Sequence, residues 1–183
     1  MPRIGHFEVT IEVNNELADE FDDNDDEPAG PDTVTKYIEA VSGAHFAVKC
    51  QVLPGYNFET DHLVFGISLD GNEIKRVYTL KSEYDPESGK CFVERHVSVD
   101  GKDGRKIFSF SFANLNSRES LPGECVEDMR AKLQKLGTIS VEVWRKNTVS
   151  RYEGYYHAIP HCGTTESVPE KALKGRALSL ATT

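Results

Sequence analysis

From Phe7 to Val13 the apolar residues Phe7, Val9, Ile11 and Val13 alternate with Glu8, Thr10 and Glu12. A period of two places one face on a core and the other in water, so this segment is expected to be a strand. The same alternation returns in Phe46, Val48, Cys50 and Val52, with Val34 to Val41 before it and Ser42-Gly43 between them as a turn. Leu63, Phe65, Ile67 and Leu69 form the next alternating face and end at Asp70-Gly71, a pair suited to the positive φ angles of a type I′ turn. Val77 to Leu80 and Phe92 to Val99 continue the pattern, and the stretch VDGKDG marks a hairpin or bulged loop. Phe108, Phe110 and Phe112, separated by serines, predict an aromatic core face.

One long segment has helical spacing instead. Val126, Met129, Leu133 and Leu136 recur at three and four residues, with Pro122 near the start and Gly137 just past the end, which predicts an amphipathic helix over 123–136. Ile139, Val141 and Val143 then alternate as a further strand. Near the C-terminus Ser167 and Glu170 form a capping-box pair around Pro169, which predicts a short helix. The fold class that follows is mainly β, an antiparallel sandwich of about eight strands with these two helices. A single domain over 1–183 is expected, with less definition across 150–183.

The acidic residues change the picture at one place. Residues 1–30 hold ten acidic side chains against Arg3 alone, so the net charge of −9 belongs to that end and the remainder is balanced. Within it, the run from Glu16 to Pro31 combines like-charge repulsion with Pro and Gly and is expected to be a mobile acidic loop. It does not fit a calcium loop: counting from Asp22, the positions that need Gly and Glu hold Glu27 and Thr33. No apolar run approaches the ~20 residues a membrane helix needs, and the N-terminus has no signal-peptide pattern. The four cysteines, Cys50, Cys91, Cys125 and Cys162, form no Cys-x-x-Cys pair. Free thiols and a cytoplasmic or nuclear setting, not a secreted one, are the expectation. Cys50 is expected in the core.

Four blocks carry a resemblance: TKYIEAVSGAHFAVK (35–49), LVFGISLDG (63–71), KLGTISVEVWRK (135–146) and VPEKALKGRALS (168–179). In order and spacing they resemble the signature blocks of a large family of uncharacterised fungal proteins, abundant in mushroom-forming fungi, that share a domain of unknown function. The resemblance spans Phe7 to Ser179. It implies a fungal intracellular protein and carries over no catalytic residues.

Candidate chemistry is sparse. His157, His161 and Cys162 have near-zinc spacing but lack a second cysteine pair, so they rank as weak metal candidates behind ordinary histidines. No nucleophile elbow, dinucleotide fingerprint or phosphate loop occurs, and no cofactor is expected. Lys171, Lys174 and Arg176 form a local basic cluster that could meet phosphate or an acidic partner, against the plainer reading of an ordinary surface. Trp144 beside Arg145 has the aromatic-plus-arginine composition of an interface anchor, against a core Trp sealing a sheet edge. The expected function is a non-enzymatic protein-interaction module. The alternatives are a nucleic-acid-associated protein using the basic cluster and a metal-dependent enzyme using His157 and His161. Partners are expected to be protein, with nucleic acid second, no membrane, and self-association through open strand edges as a further option.

Overall fold

The computed structural model describes residues 1–22, 30–101, 104–114, 117–118, 135–147, 168–169 and 180–182 of the 183-residue chain. The alternation of the first strands is realised directly. After the short β1 (Arg3–Ile4), β2 (Phe7–Val13) turns through Asn14 and Asn15, both at positive φ, into β3 (Glu16–Leu17). A two-stranded ribbon follows, β4 (Glu20–Asp22) against β5 (Lys36–Ile38). Next come β6 (Phe46–Val52), β7 (His62–Leu69) and β8 (Asn72–Leu80), then a single 3-10 turn at Lys81–Glu83. The remaining strands are β9 (Lys90–Glu94), β10 (His96–Gly101), β11 (Gly104–Ser109), β12 (Phe112–Asn114), β13 (Ser117–Arg118), β14 (Ile139–Lys146), β15 (Val168–Pro169) and β16 (Leu180–Thr182).

Two main sheets result. One has five strands in the order β1-β2-β6-β9, with β3 also on β2; the other has three, in the order β14-β7-β8, and every pairing within them is antiparallel. Their apolar faces share one core. Ile11, Phe46, Val48, Cys50 and Val52 from the first meet Leu63, Phe65, Ile67 and Leu69 from the second, and Ile139, Val141 and Val143 pack on that cluster from the side. Phe65 joins the layers through edge-on contacts with Phe92 at 5.0 Å and Phe7 at 6.2 Å, the geometry that ring quadrupoles favour. A Lys75–Glu94 ion pair ties β8 to β9 across the gap.

Asp70 and Gly71 have φ of 50° and 76°, as the β7–β8 turn requires. Phe110 and Phe112 are in the core against Phe46, Phe112 stacked at 4.6 Å and Phe110 tilted at 5.5 Å, while Phe108 is only half-buried. The expected strand from Phe92 to Val99 is two strands. It breaks at Arg95, whose carbonyl accepts from Phe110 N at 3.0 Å and whose guanidinium pairs with Glu12 at 2.7 Å, so β10 departs into a separate hairpin with β11.

Two expectations are corrected. The acidic stretch from Glu16 begins with two short strands, β3 and β4, joined through Ala18 and Asp19: Leu17 pairs with Glu12, Phe21 pairs with Tyr37, and a Lys36–Asp22 ion pair removes part of the like-charge repulsion. Residues 23–29 lie outside the described part. The helices are not supported: among the described residues only the 3-10 turn is helical. The expected helix over 123–136 lies outside the described residues up to 134, and Lys135–Gly137 form a turn. Val168–Pro169, expected to open the C-terminal helix, instead pair in parallel with Ser117–Arg118, an edge position where proline's missing N–H costs little.

Candidate interaction surface

Trp144 and Arg145 are neighbours in sequence, but a strand sends successive side chains to opposite faces. The β14–β7 register pairs Trp144 with Val64 and Arg145 with Leu63. Leu63 belongs to the core cluster, so Trp144 lies on the outer face of the three-stranded sheet and Arg145 on the inner side. The two therefore do not form the joint anchor that their adjacency suggested.

On the outer face the cation above the indole is Arg76, its guanidinium carbon 5.6 Å from the ring centroid. Glu73 holds that guanidinium in a fork, with Nε at 2.7 Å from one carboxylate oxygen and Nη2 donating to the other at 2.8 Å. The indole lies over Gly66, the residue paired with both Glu142 and Arg76. Further along the same face Val64 is fully buried and His62 is 1% exposed, its ring 6.1 Å from that of Tyr78. Among the described residues neither imidazole nitrogen has a hydrogen-bond partner. Arg76, Glu73 and Gly66 were missed by sequence reasoning, because only the strand register brings them to Trp144.

Arg145 reaches the aromatic residues around Tyr56 instead. Its Nε donates to the Tyr56 hydroxyl at 3.0 Å, and that bond raises the guanidinium pKa further. Tyr56 packs on Phe7 and Phe58, at 5.1 and 4.9 Å, and its backbone N–H donates to the Tyr84 hydroxyl at 2.8 Å. Tyr84 in turn donates to the Leu53 carbonyl at 2.8 Å. Arg145 thus acts as a strut on a buried aromatic cluster.

A second surface comes from the β4–β5 ribbon. Phe21 and Tyr37 sit directly opposite each other, so they share one face, and they are 56% and 52% exposed. The opposite face carries Ile38, which packs on the core. Leu17, Val34 and Val41 are exposed nearby in the chain. In sequence this apolar group belongs to the most acidic stretch of the chain: residues 16–30 contain eight Asp or Glu and no Lys or Arg. Lys36 bonds Asp22 and holds its carboxyl below the usual carboxylate range.

Lys171, Lys174, Arg176, His157, His161 and Cys162 all lie outside the described residues. Among the described residues, no group of three or more His, Cys, Asp or Glu could hold a metal ion, and no helix is long and apolar enough to cross a membrane.

Residues 6–183 match the profile of DUF7918, a domain of unknown function. The chain belongs to the DUF7918 family. No curated protein and no solved structure matches it. The DUF7918 match covers both main sheets from β2 onward and includes Trp144, Gly66, Arg76 and the ribbon with Phe21 and Tyr37.

Proposed function

We propose that this DUF7918 chain is a non-enzymatic protein-interaction module of the cytoplasm or nucleus that docks a basic partner segment on the outer face of the β4–β5 ribbon. The observation carrying the reading is the Phe21–Tyr37 pair: two aromatic rings side by side, each more than half exposed, inside the most acidic stretch of the chain. Aromatic side chains offer large contact area at small entropic cost and are enriched at interfaces. Carboxylates of this acidic stretch steer a basic partner and disfavour acidic ones. The excess of negative charge in residues 16–30 argues in the same direction, since phosphate polymers would be repelled by it. Among the described residues Cys50 and Cys91 form no disulfide, in keeping with a reducing compartment, and the family resemblance supports a fungal source.

The test is affinity purification from fungal extract of tagged native chain beside a Phe21→Ser/Tyr37→Ser variant, each with and without nuclease. A stoichiometric basic protein that survives nuclease and is lost with the variant supports the reading. Partners that vanish on nuclease treatment move the nucleic-acid reading ahead. Partners retained equally by the variant remove the ribbon from the interface.

A further inference from the structure

The three-stranded sheet ends in β14, an eight-residue strand whose pairing with β7 runs unbroken from Ile139 to Lys146. Among the described residues β14 has β7 as its one ladder partner, and none of them pairs with the backbone donors and acceptors along its other side. Such an edge is a template for another strand unless something blunts it. The other edges of the two main sheets are blunted. β8 carries a register irregularity opposite Ile67/Ser68, and its Lys75 is tied to Glu94 on the facing sheet. β9 is five residues long and β1 only two. β14 has no proline and no bulge.

We propose that β14 pairs antiparallel with β14 of a second copy of this chain, joining the two three-stranded sheets into one continuous sheet across a two-fold axis at Trp144. Residues opposite each other in a ladder point to the same face, so a two-fold pairing that keeps both cores on one side must be centred on a residue, never between two. Charge then selects among these registers. Centred on Glu142 the pairing opposes two carboxylates, and centred on Arg145 it opposes two guanidinium groups. Centred on Trp144 it sets Glu142 of each copy against Lys146 of the other, twice, on the outer face. Cross-strand opposite charges stabilise a pair and like charges oppose it. This register also sets the two Trp144 residues opposite each other at the centre, each indole leaning back over Gly66 of its own sheet against Arg76. An isologous contact of this kind is closed, so it yields a dimer and no fibre. The surface is distinct from the β4–β5 ribbon and the inference does not depend on the partner proposed there.

Sedimentation equilibrium of the full chain tests it, with Glu142→Lys, Lys146→Glu and the double reversal. The native chain is expected to dimerise. Each single reversal opposes two like-charge pairs and is expected to weaken the dimer about tenfold, ~1.4 kcal/mol. The double reversal restores the pairing with the native net charge, and so controls for folding and for global charge. A native chain monomeric at every concentration overturns the inference. So does a dimer that the single reversals leave intact, or one that the double reversal fails to restore.

Discussion

The Trp144 indole occupies the space that Gly66 leaves by having no side chain: a Cβ on Gly66 would lie 2.6 Å from two carbons of the six-membered ring. Gly66 has no positive φ to explain it, so the indole is the reason that a glycine stands inside an otherwise apolar strand. Gly66→Ala therefore forces the ring off its seat and away from the Arg76 guanidinium. The expected cost is that of overpacking, about 1–3 kcal/mol, read by chemical denaturation. Because the chain has one tryptophan, the same variant reports directly through fluorescence, with a red-shifted emission as the ring becomes wetter. An unshifted spectrum at native stability would show that the indole can relax in place.

Thr79 and His62 are buried polar groups, each 1% exposed, and among the described residues neither the Thr79 hydroxyl nor either His62 ring nitrogen has a hydrogen-bond partner. A buried polar atom left unpaired costs its desolvation without return, whereas an apolar group of the same shape does not. Thr79→Val keeps shape and strand preference while removing the hydroxyl, and is expected to raise unfolding stability by about 1 kcal/mol. His62→Leu is expected to shift stability in the same direction. A loss of stability in Thr79→Val would mean that the hydroxyl is satisfied by bound water.

The strands that pack the core were legible because each writes its alternation without interruption. β2, β6, β7 and β14 all place the expected residues inward, and Asp70-Gly71 announces its turn. The acidic ribbon was not legible, since charge density around Asp22 outweighs the short apolar signals of Leu17 and Phe21, and the partner that steadies it, Lys36, is supplied from beyond the acidic run. Asn14-Asn15 was the available cue, as asparagine tolerates positive φ. The surroundings of Trp144 were hidden for another reason. Gly66, Glu73 and Arg76 reach it only through the β14–β7–β8 register, a pairing of segments distant in the chain.

Cys50 and Cys91 lie on adjacent strands yet face opposite ways. Cys50 pairs with Phe92 and Gln51 with Cys91, so one thiol enters the core and the other meets solvent. Burial, followed by the nearby Glu94 and Cys91, pushes the Cys50 thiol up to about 12. At pH 8 its thiolate fraction is then on the order of one in ten thousand, and the thiolate is the nucleophile. Iodoacetamide labelling at that pH, read by peptide mass spectrometry, is expected to modify Cys91 and spare Cys50 until denaturant is added. Comparable native labelling of both would mean that β6 opens locally.

Asp85 organises the turn before β9 with its carboxylate. One oxygen accepts from Glu87 N at 2.9 Å and the other from the Ser88 hydroxyl at 2.7 Å. The backbone bond to Glu87 is the main reason its pKa falls below the ordinary aspartate value, with Ser88 second. A carboxylate whose folded pKa is depressed binds fewer protons folded than unfolded. Its contribution is therefore present above the unfolded pKa and is lost as pH falls through the folded one. Asp85→Asn is expected to lower stability at neutral pH. The gap to the native chain should then close as pH drops below about 4, the ordinary aspartate range. Denaturant midpoints of both chains across that range provide the measurement. Parallel curves would assign the loss to turn geometry alone, whereas convergence at acid pH assigns it to the charge that Glu87 and Ser88 stabilise.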